Sequence, residues 1–213
     1  MRLTKHTHAT VSLHRDGRTL LIDPGTFTPD ALELARDADV ILVTHDHFDH
    51  FDRDAVLAAL DADPELELYG PSAVIESLDG FDDRTHVVTP GDEFTAAGFA
   101  VVAYGGEHAL IHPEIPQIDN IGYLVDGSVL HPGDAYLQVD APVDTLLVPT
   151  SGPWTKMSDA IDYVRAVRPR QSVQIHDVML SDVGTASATM FLGEQGLTGT
   201  TLLTLTVGES VTI

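Results

Sequence analysis

A two-sheet β-sandwich with helices packed outside it, of the α/β (α+β) class, is the fold this sequence predicts. Two observations carry that prediction. Strand-like segments fall into two blocks, and each block closes on helical segments instead of alternating strand with helix throughout. A third observation locates the chemistry: His45-Asp46-His47-Phe48-Asp49-His50 lies between an apolar run at residues 40–43 and a helix start at Asp52.

The elements follow in order. Residues 10–14 and 18–23 flank Asp16-Gly17, a strong hairpin signal. Residues 31–38 read as a short helix and 40–43 as a buried strand. Asp52 is placed to cap the next helix, with Val56, Leu57 and Leu60 on one face. Residues 65–69 read as a strand and 72–78 as a short helix. The second block holds strands at 85–88, 92–95 and 99–104. A hairpin follows, formed by 120–125 and 128–131 around Asp126-Gly127, and then a buried strand at 145–148. Residues 158–167 form a helix that turns Ile161, Val164 and Val167 inward and stops at Pro169. A strand at 172–175, a helix at 186–195 and a terminal β pair at 202–206 and 210–213 complete the chain.

Composition narrows the function. The 213 residues suit one domain, 1–213, with a sizeable core, and no linker, low-complexity tract or repeat divides them. There is no cysteine, so disulfides, thiolate metal sites and cysteine nucleophiles are excluded together. The balance of 11 Lys+Arg against 33 Asp+Glu, a formal net charge of −22, repels a phosphate backbone and argues against a nucleic-acid partner. No apolar run approaches the roughly 18 residues of a membrane span. The N-terminal segment has no apolar stretch of the secretory kind, so the expectation is a cytoplasmic protein with a small-molecule substrate and no membrane partner. A homo-oligomer is compatible with the composition.

Three imidazoles and two carboxylates in one strand-to-helix loop bury no useful apolar area and repel on protonation. Divalent metal explains them, because neutral imidazole and carboxylate are its nitrogen and oxygen ligands. Residues two apart in an extended turn can point the same way, so His45 and His47 can grip one ion while Asp49 and His50 face another. Further candidates stand where strands end: Asp23, His108, Asp134 and His176.

A His-x-His-x-Asp-His loop, a later Gly-x-His, a Gly-Asp and a strand-final His, in that order, resemble the metallo-β-lactamase superfamily. Ile22-Asp23-Pro24, Thr44-His45-Asp46-His47 and His131-Pro132-Gly133-Asp134 are similar to its small single-domain hydrolases, nearest the ascorbate-6-phosphate lactonase-like branch. The resemblance implies a four-layer αββα sandwich. It also implies two divalent ions, Zn²⁺ or Mn²⁺ foremost and Fe²⁺ next. His45, His47 and His108 would hold one and Asp49, His50 and His176 the other. Asp134 would bridge, and Asp49 and Asp134 would be the catalytic carboxylates. Two such ions about 3.5–4 Å apart can share a hydroxide that attacks a small ester, lactone or phosphodiester.

Weaker candidates surround this set. Asp23 is placed to order a ligand histidine, and Asp46 to stabilise the loop. His112, four residues past His108, rivals it as third ligand, but His108 lies nearer the strand end. His8 is as much a pocket residue as a strand histidine, and His131 fits either a supporting role or packing. Trp154 is a candidate pocket wall. His6, His14 and His86 read as surface or structural. The competing function is a non-hydrolytic metal-binding or redox protein on the same fold. Against it, the flavodiiron type usually has a carboxylate where this chain has His50, and this chain keeps all seven ligand positions.

Overall fold

In the structure, a computed structural model describing residues 1–213, fourteen strands divide into two mixed sheets of seven. The strands of the first are β1 (Arg2–Lys5), β2 (Val11–Arg15), β3 (Arg18–Ile22), β4 (Val40–Leu42), β5 (Glu67–Gly70), β6 (Thr85–Val87) and, from the far end of the chain, β14 (Ser210–Thr212). The second holds β7 (Glu93–Ala96), β8 (Phe99–Gly105), β9 (Ile121–Val125), β10 (Val129–His131), β11 (Thr145–Pro149), β12 (Gln171–Ile175) and β13 (Thr201–Leu203). The helices are α1 (Ala31–Arg36), α2 (Arg53–Ala62), α3 (Ser72–Glu76), α4 (Met157–Val167) and α5 (Asp182–Leu192).

Period-two alternation builds the four layers. Leu20, Ile22, Val40 and Leu42 point between the sheets, where they meet Val101, Ala103, Tyr123, Val125, Leu147, Val173 and Ile175. The residues between them, Leu21, Ile41 and Val43, point the other way and pack with Val56, Ala59 and Leu60 of α2. On the second sheet Leu124, Leu130, Leu146 and Val148 turn outward against Ile161 and Val164 of α4. Strands apolar on both faces are those a helix covers on one side and a second sheet on the other. The predicted αββα sandwich is therefore what forms.

Local chemistry sets the boundaries. Both hairpins turn at Asp-Gly pairs with positive φ, Asp16 (52°) with Gly17 (77°) and Asp126 (51°) with Gly127 (59°). Asp52 caps α2 by accepting from the Ala55 backbone N at 3.0 Å. Leu57 lies at the edge of the buried face of that helix, which Ala55, Val56, Ala59 and Leu60 complete.

Three expectations change. The terminal β pair does not exist: β13 runs parallel to β12 in the second sheet, and β14 runs antiparallel to β1 in the first. The chain crosses the sandwich between them, because each sheet offers an open edge strand and pairing across sheets is closed off by the core. Residues 2–5, to which the sequence assigns no element, form β1, carried by Leu3, fully buried between the sheets. The last helix also begins earlier than expected, at Asp182, where the Ser181 side chain accepts from Gly184 N.

Candidate metal centre

One rim of the sandwich collects the chain just after β1, β3, β4, β8, β10 and β12. Its turns carry His8, Asp23, the His45–His50 loop, His108, Asp134 and His176 respectively. Backbone strain marks the same rim. Of the seven non-glycine residues with positive φ, four serve hairpin turns or a helix C-terminus, and the other three are His8 (61°), Asp23 (53°) and His176 (52°).

Asp23 organises the loop that follows β4. Fully buried, it accepts from Thr44 N and Thr44 Oγ1, each at 2.8 Å, and from His50 Nδ1 at 2.7 Å. Since the Thr44 hydroxyl donates to Asp23, its oxygen accepts from His45 Nδ1 at 2.9 Å. His108 Nδ1 donates to the Ala109 carbonyl at 2.6 Å. Each of these bonds fixes a tautomer and turns Nε2 of the ring toward the cleft. The turn at residues 23–25 packs so closely on the loop that a Cβ at Gly25 would lie 1.9 Å from the Asp49 carbonyl oxygen. From the opposite sheet, Tyr123 donates its hydroxyl to the Val43 carbonyl at 2.8 Å and ties β9 to the start of the loop.

Two groups of potential ligand atoms result: His45, His47, His108 and Asp134 in one, and His8, Asp49, His50 and His176 in the other. Within each group the atoms lie within 4.8 Å of one another. Asp134 stands between the groups. Its Oδ1 is 3.1 Å from His50 Nε2, and its Oδ2 is 3.0 Å from His176 Nε2 and 3.3 Å from His108 Nε2. Its backbone N donates to Asn120 Oδ1, and its Oδ2 accepts from Trp154 Nε1 at 2.8 Å. Gly133 is required before it, since a Cβ there would meet Asn120 Oδ1 at 2.2 Å and φ is +63°.

The buried polar atoms test whether metal fits. Of the eleven without a hydrogen-bond partner, five converge here: His45 Nε2, His50 Nε2, His108 Nε2, His176 Nε2 and Asp134 Oδ1. Unpaired buried polar atoms are costly, and five in one place need a shared partner. A cation meets that need for lone pairs of nitrogen and oxygen. Protonation states agree. Burial lowers the pKa of His45, His47 and His8, so these imidazoles are neutral at pH 7. The carboxylates stay ionised against the opposing effect of burial, Asp49 at about 2 through its hydrogen bond to His8 and Asp134 well below the usual range beside His50. His50 is the exception: burial opposes its charge, but Asp134 and Asp23 raise its pKa well above the ordinary value.

A beta-lactamase superfamily domain model matches residues 2–176. The chain belongs to the beta-lactamase superfamily. Its relatives there include Protein Rv0786c of Mycobacterium tuberculosis, 40% identical over 186 residues that cover 85% of this chain and 86% of that one. Another is a UPF0173 metal-dependent hydrolase of Carboxydothermus hydrogenoformans, 28% identical over 209 residues, with coverage of 86% and 89%. Among solved structures, the metallo hydrolase Igni18 of Ignicoccus hospitalis superposes with a TM-score of 0.76 at 19% identity. That alignment spans 99% of this chain and 97% of Igni18.

The remaining sequence candidates divide. His8 joins the second group, its Nε2 3.1 Å from Asp49 Oδ2. His131 is fully buried. Its Nε2 donates to the Ala9 carbonyl at 2.9 Å while its Nδ1 accepts from Gly133 N, so it braces the His8 turn against the Asp134 turn. Asp46 is exposed and outside both groups. His112 is exposed on its loop, its Nδ1 accepting from Glu114 N, away from the groups that include His108. Of the others, His6 is buried against Ser12, His14 is half-buried and His86 stacks on Tyr69. Sequence reasoning gave no role to Thr44, although the resembling segment Thr44-His45-Asp46-His47 contains it, or to Phe48, an aromatic inside the ligand loop.

Proposed function

We propose that this metal-dependent hydrolase works with two divalent ions, one held by His45, His47 and His108 and one by Asp49, His50 and His176, with Asp134 shared. The carrying observation is Asp134, whose two oxygens face both groups at 3.0–3.3 Å. An all-nitrogen-and-oxygen set of this kind suits Zn²⁺ or Mn²⁺, and Fe²⁺ after them. When bound, such a pair lowers the pKa of a shared water and polarises a carbonyl or phosphoryl oxygen.

The protein's own groups do the rest. Asp23 and Thr44 hold His50 and His45 in the tautomers that present Nε2. Asp49 and Asp134 offer carboxylate oxygens to accept and return a proton at the floor of the cleft. Trp154 holds Asp134 Oδ2 and forms part of the wall. The substrate is a small ester, lactone or phosphodiester, and the acidic surface disfavours a nucleic acid. Metal analysis of untagged protein, followed by turnover assays on the three substrate classes with Zn²⁺ and Mn²⁺, tests this reading. Protein that binds neither ion at neutral pH would overturn it.

A further inference from the structure

We infer that the cleft over the two ligand groups accepts an uncharged acyl compound with an apolar arm, an ester or lactone, and discriminates against one whose arm carries a phosphate or carboxylate. The inference rests on the hydrolase reading above. The floor of the cleft is His47, Asp49, His108, Asp134 and His176, and its walls are Phe27, Phe48, Ile111, Pro153, Trp154 and Met179, around a cavity of about 310 Å³. Polar lining is confined to the floor. No lysine or arginine lines the cleft, and those are the side chains that grip a remote phosphate or carboxylate.

Cations near in sequence are engaged elsewhere. Lys5 is buried and donates to Asp177 Oδ1 and the His6 carbonyl, each at 3.1 Å. Lys156, two residues past Trp154, pairs with Asp159. With 33 acidic residues against 11 basic ones, the surrounding surface supplies no compensating field.

The walls themselves are exposed, which packing does not explain. Phe48 is 63% exposed and Met179 57%, on different loops facing one cleft. Phe27 meets Phe48 edge-on at 5.5 Å and His8 at 5.2 Å, so the apolar wall runs down to the ligand groups. A second crevice beside His47 and His108 is walled by Ile111, Ile115, Pro116 and Ile118. Apolar side chains gathered at a rim gain burial only when a ligand covers them. A charged arm laid on the same wall loses its water and finds no partner. In the reaction, the oxygen of water bonds to the acyl carbon and the acyl–oxygen bond breaks. One proton of water goes to the departing alkoxide and the other to solvent as the carboxylate is released.

The decisive test compares p-nitrophenyl hexanoate with the p-nitrophenyl monoester of adipic acid, the same length of arm without and with a terminal carboxylate, on the Zn²⁺- or Mn²⁺-loaded protein. The expected kcat/KM for the hexanoate exceeds that for the adipate at least tenfold and rises by up to about 15-fold for each two methylenes from acetate through butyrate. Met179→Lys, on the exposed rim, should cut the hexanoate-to-adipate ratio at least fivefold. A binding readout stands beside turnover: Trp154 is the single tryptophan, and its emission should respond to hexanamide and not to adipamic acid at equal concentration. A flat chain-length series, equal rates for the matched pair, or equal binding of the two amides overturns the inference. So does faster turnover of bis(p-nitrophenyl) phosphate, an outcome that leaves the hydrolase reading standing. If no ester or diester turns over while hexanamide alone shifts Trp154, the cleft inference holds and the hydrolase reading falls.

Discussion

Asp23 and His50, 27 residues apart, share a 2.7 Å hydrogen bond in which neither side chain has any exposed surface. This contact, with the two bonds from Thr44, makes a residue outside both ligand groups the organiser of the ligand loop. Asp23→Asn can still accept from Thr44 but no longer offers a carboxylate to His50 Nδ1. We expect divalent-ion affinity to fall about 10–100-fold, with the circular dichroism spectrum unchanged. Competition against a chromogenic chelator measures it. Wild-type affinity in the variant would mean that His50 is oriented by packing alone.

Replacing Asp134 and Asp46 separately distinguishes the shared carboxylate from a loop carboxylate. Asp134→Ala should lower kcat by more than about 100-fold and reduce bound metal toward one equivalent. Asp46→Ala, at an exposed position, should leave both within a factor of two or three. Equal, mild losses would show that the carboxylate between the groups has been misassigned.

Trp154→Phe keeps an aromatic wall and removes the Nε1 donor to Asp134. Turnover of an apolar ester should drop about tenfold in kcat with KM little changed, because the lost contact acts on the carboxylate and the wall remains. A rise in KM at constant kcat would assign Trp154 to substrate binding alone.

Proton linkage gives a pH signature. The pKa of His50 is raised in the metal-free fold, so its contribution to stability is present below about 6.5 and is lost as pH rises through its higher folded value. Asp49, held at about 2, contributes above 3.8 and loses that contribution as pH falls toward 2. His8 and His45, with lowered pKa, favour the fold while neutral and disfavour it as pH drops below 6.5. Metal binding must displace the His50 proton, so ion affinity should rise with pH across the range above 6.5, and calorimetry in buffers of different ionisation enthalpy should register proton release. Affinity independent of pH from 6 to 8 would contradict the protonated His50.

The turn–loop contact at Gly25 is testable on stability. Gly25→Ala places a methyl within 1.9 Å of the Asp49 carbonyl oxygen and should cost about 1–3 kcal/mol in urea unfolding, with weaker ion binding. An unchanged midpoint would mean that the turn yields freely.

The sequence by itself determined the elements whose cause is local. Asp16-Gly17 and Asp126-Gly127 dictate hairpins because both residues accept positive φ, and Asp52 marks the start of α2 because its carboxylate reaches Ala55 N. The continuous apolar runs at residues 40–43 and 145–148 reveal strands covered on both faces. The crowding of histidine and aspartate between residues 45 and 50 has no packing explanation, so it was legible as a candidate metal loop before any fold was known. Tertiary structure alone decided what depends on rims meeting. His8 lies 41 residues from Asp49 yet contacts it, and Thr44 becomes a relay only because Asp23 ends the neighbouring strand. Phe27, Phe48 and Met179 form one wall from separate loops, and β13 and β14 part to opposite sheets at open edges. Local periodicity encodes which face a residue takes within its own element. It carries no information on which distant turn that face will meet, since the closed core of the sandwich sets that meeting.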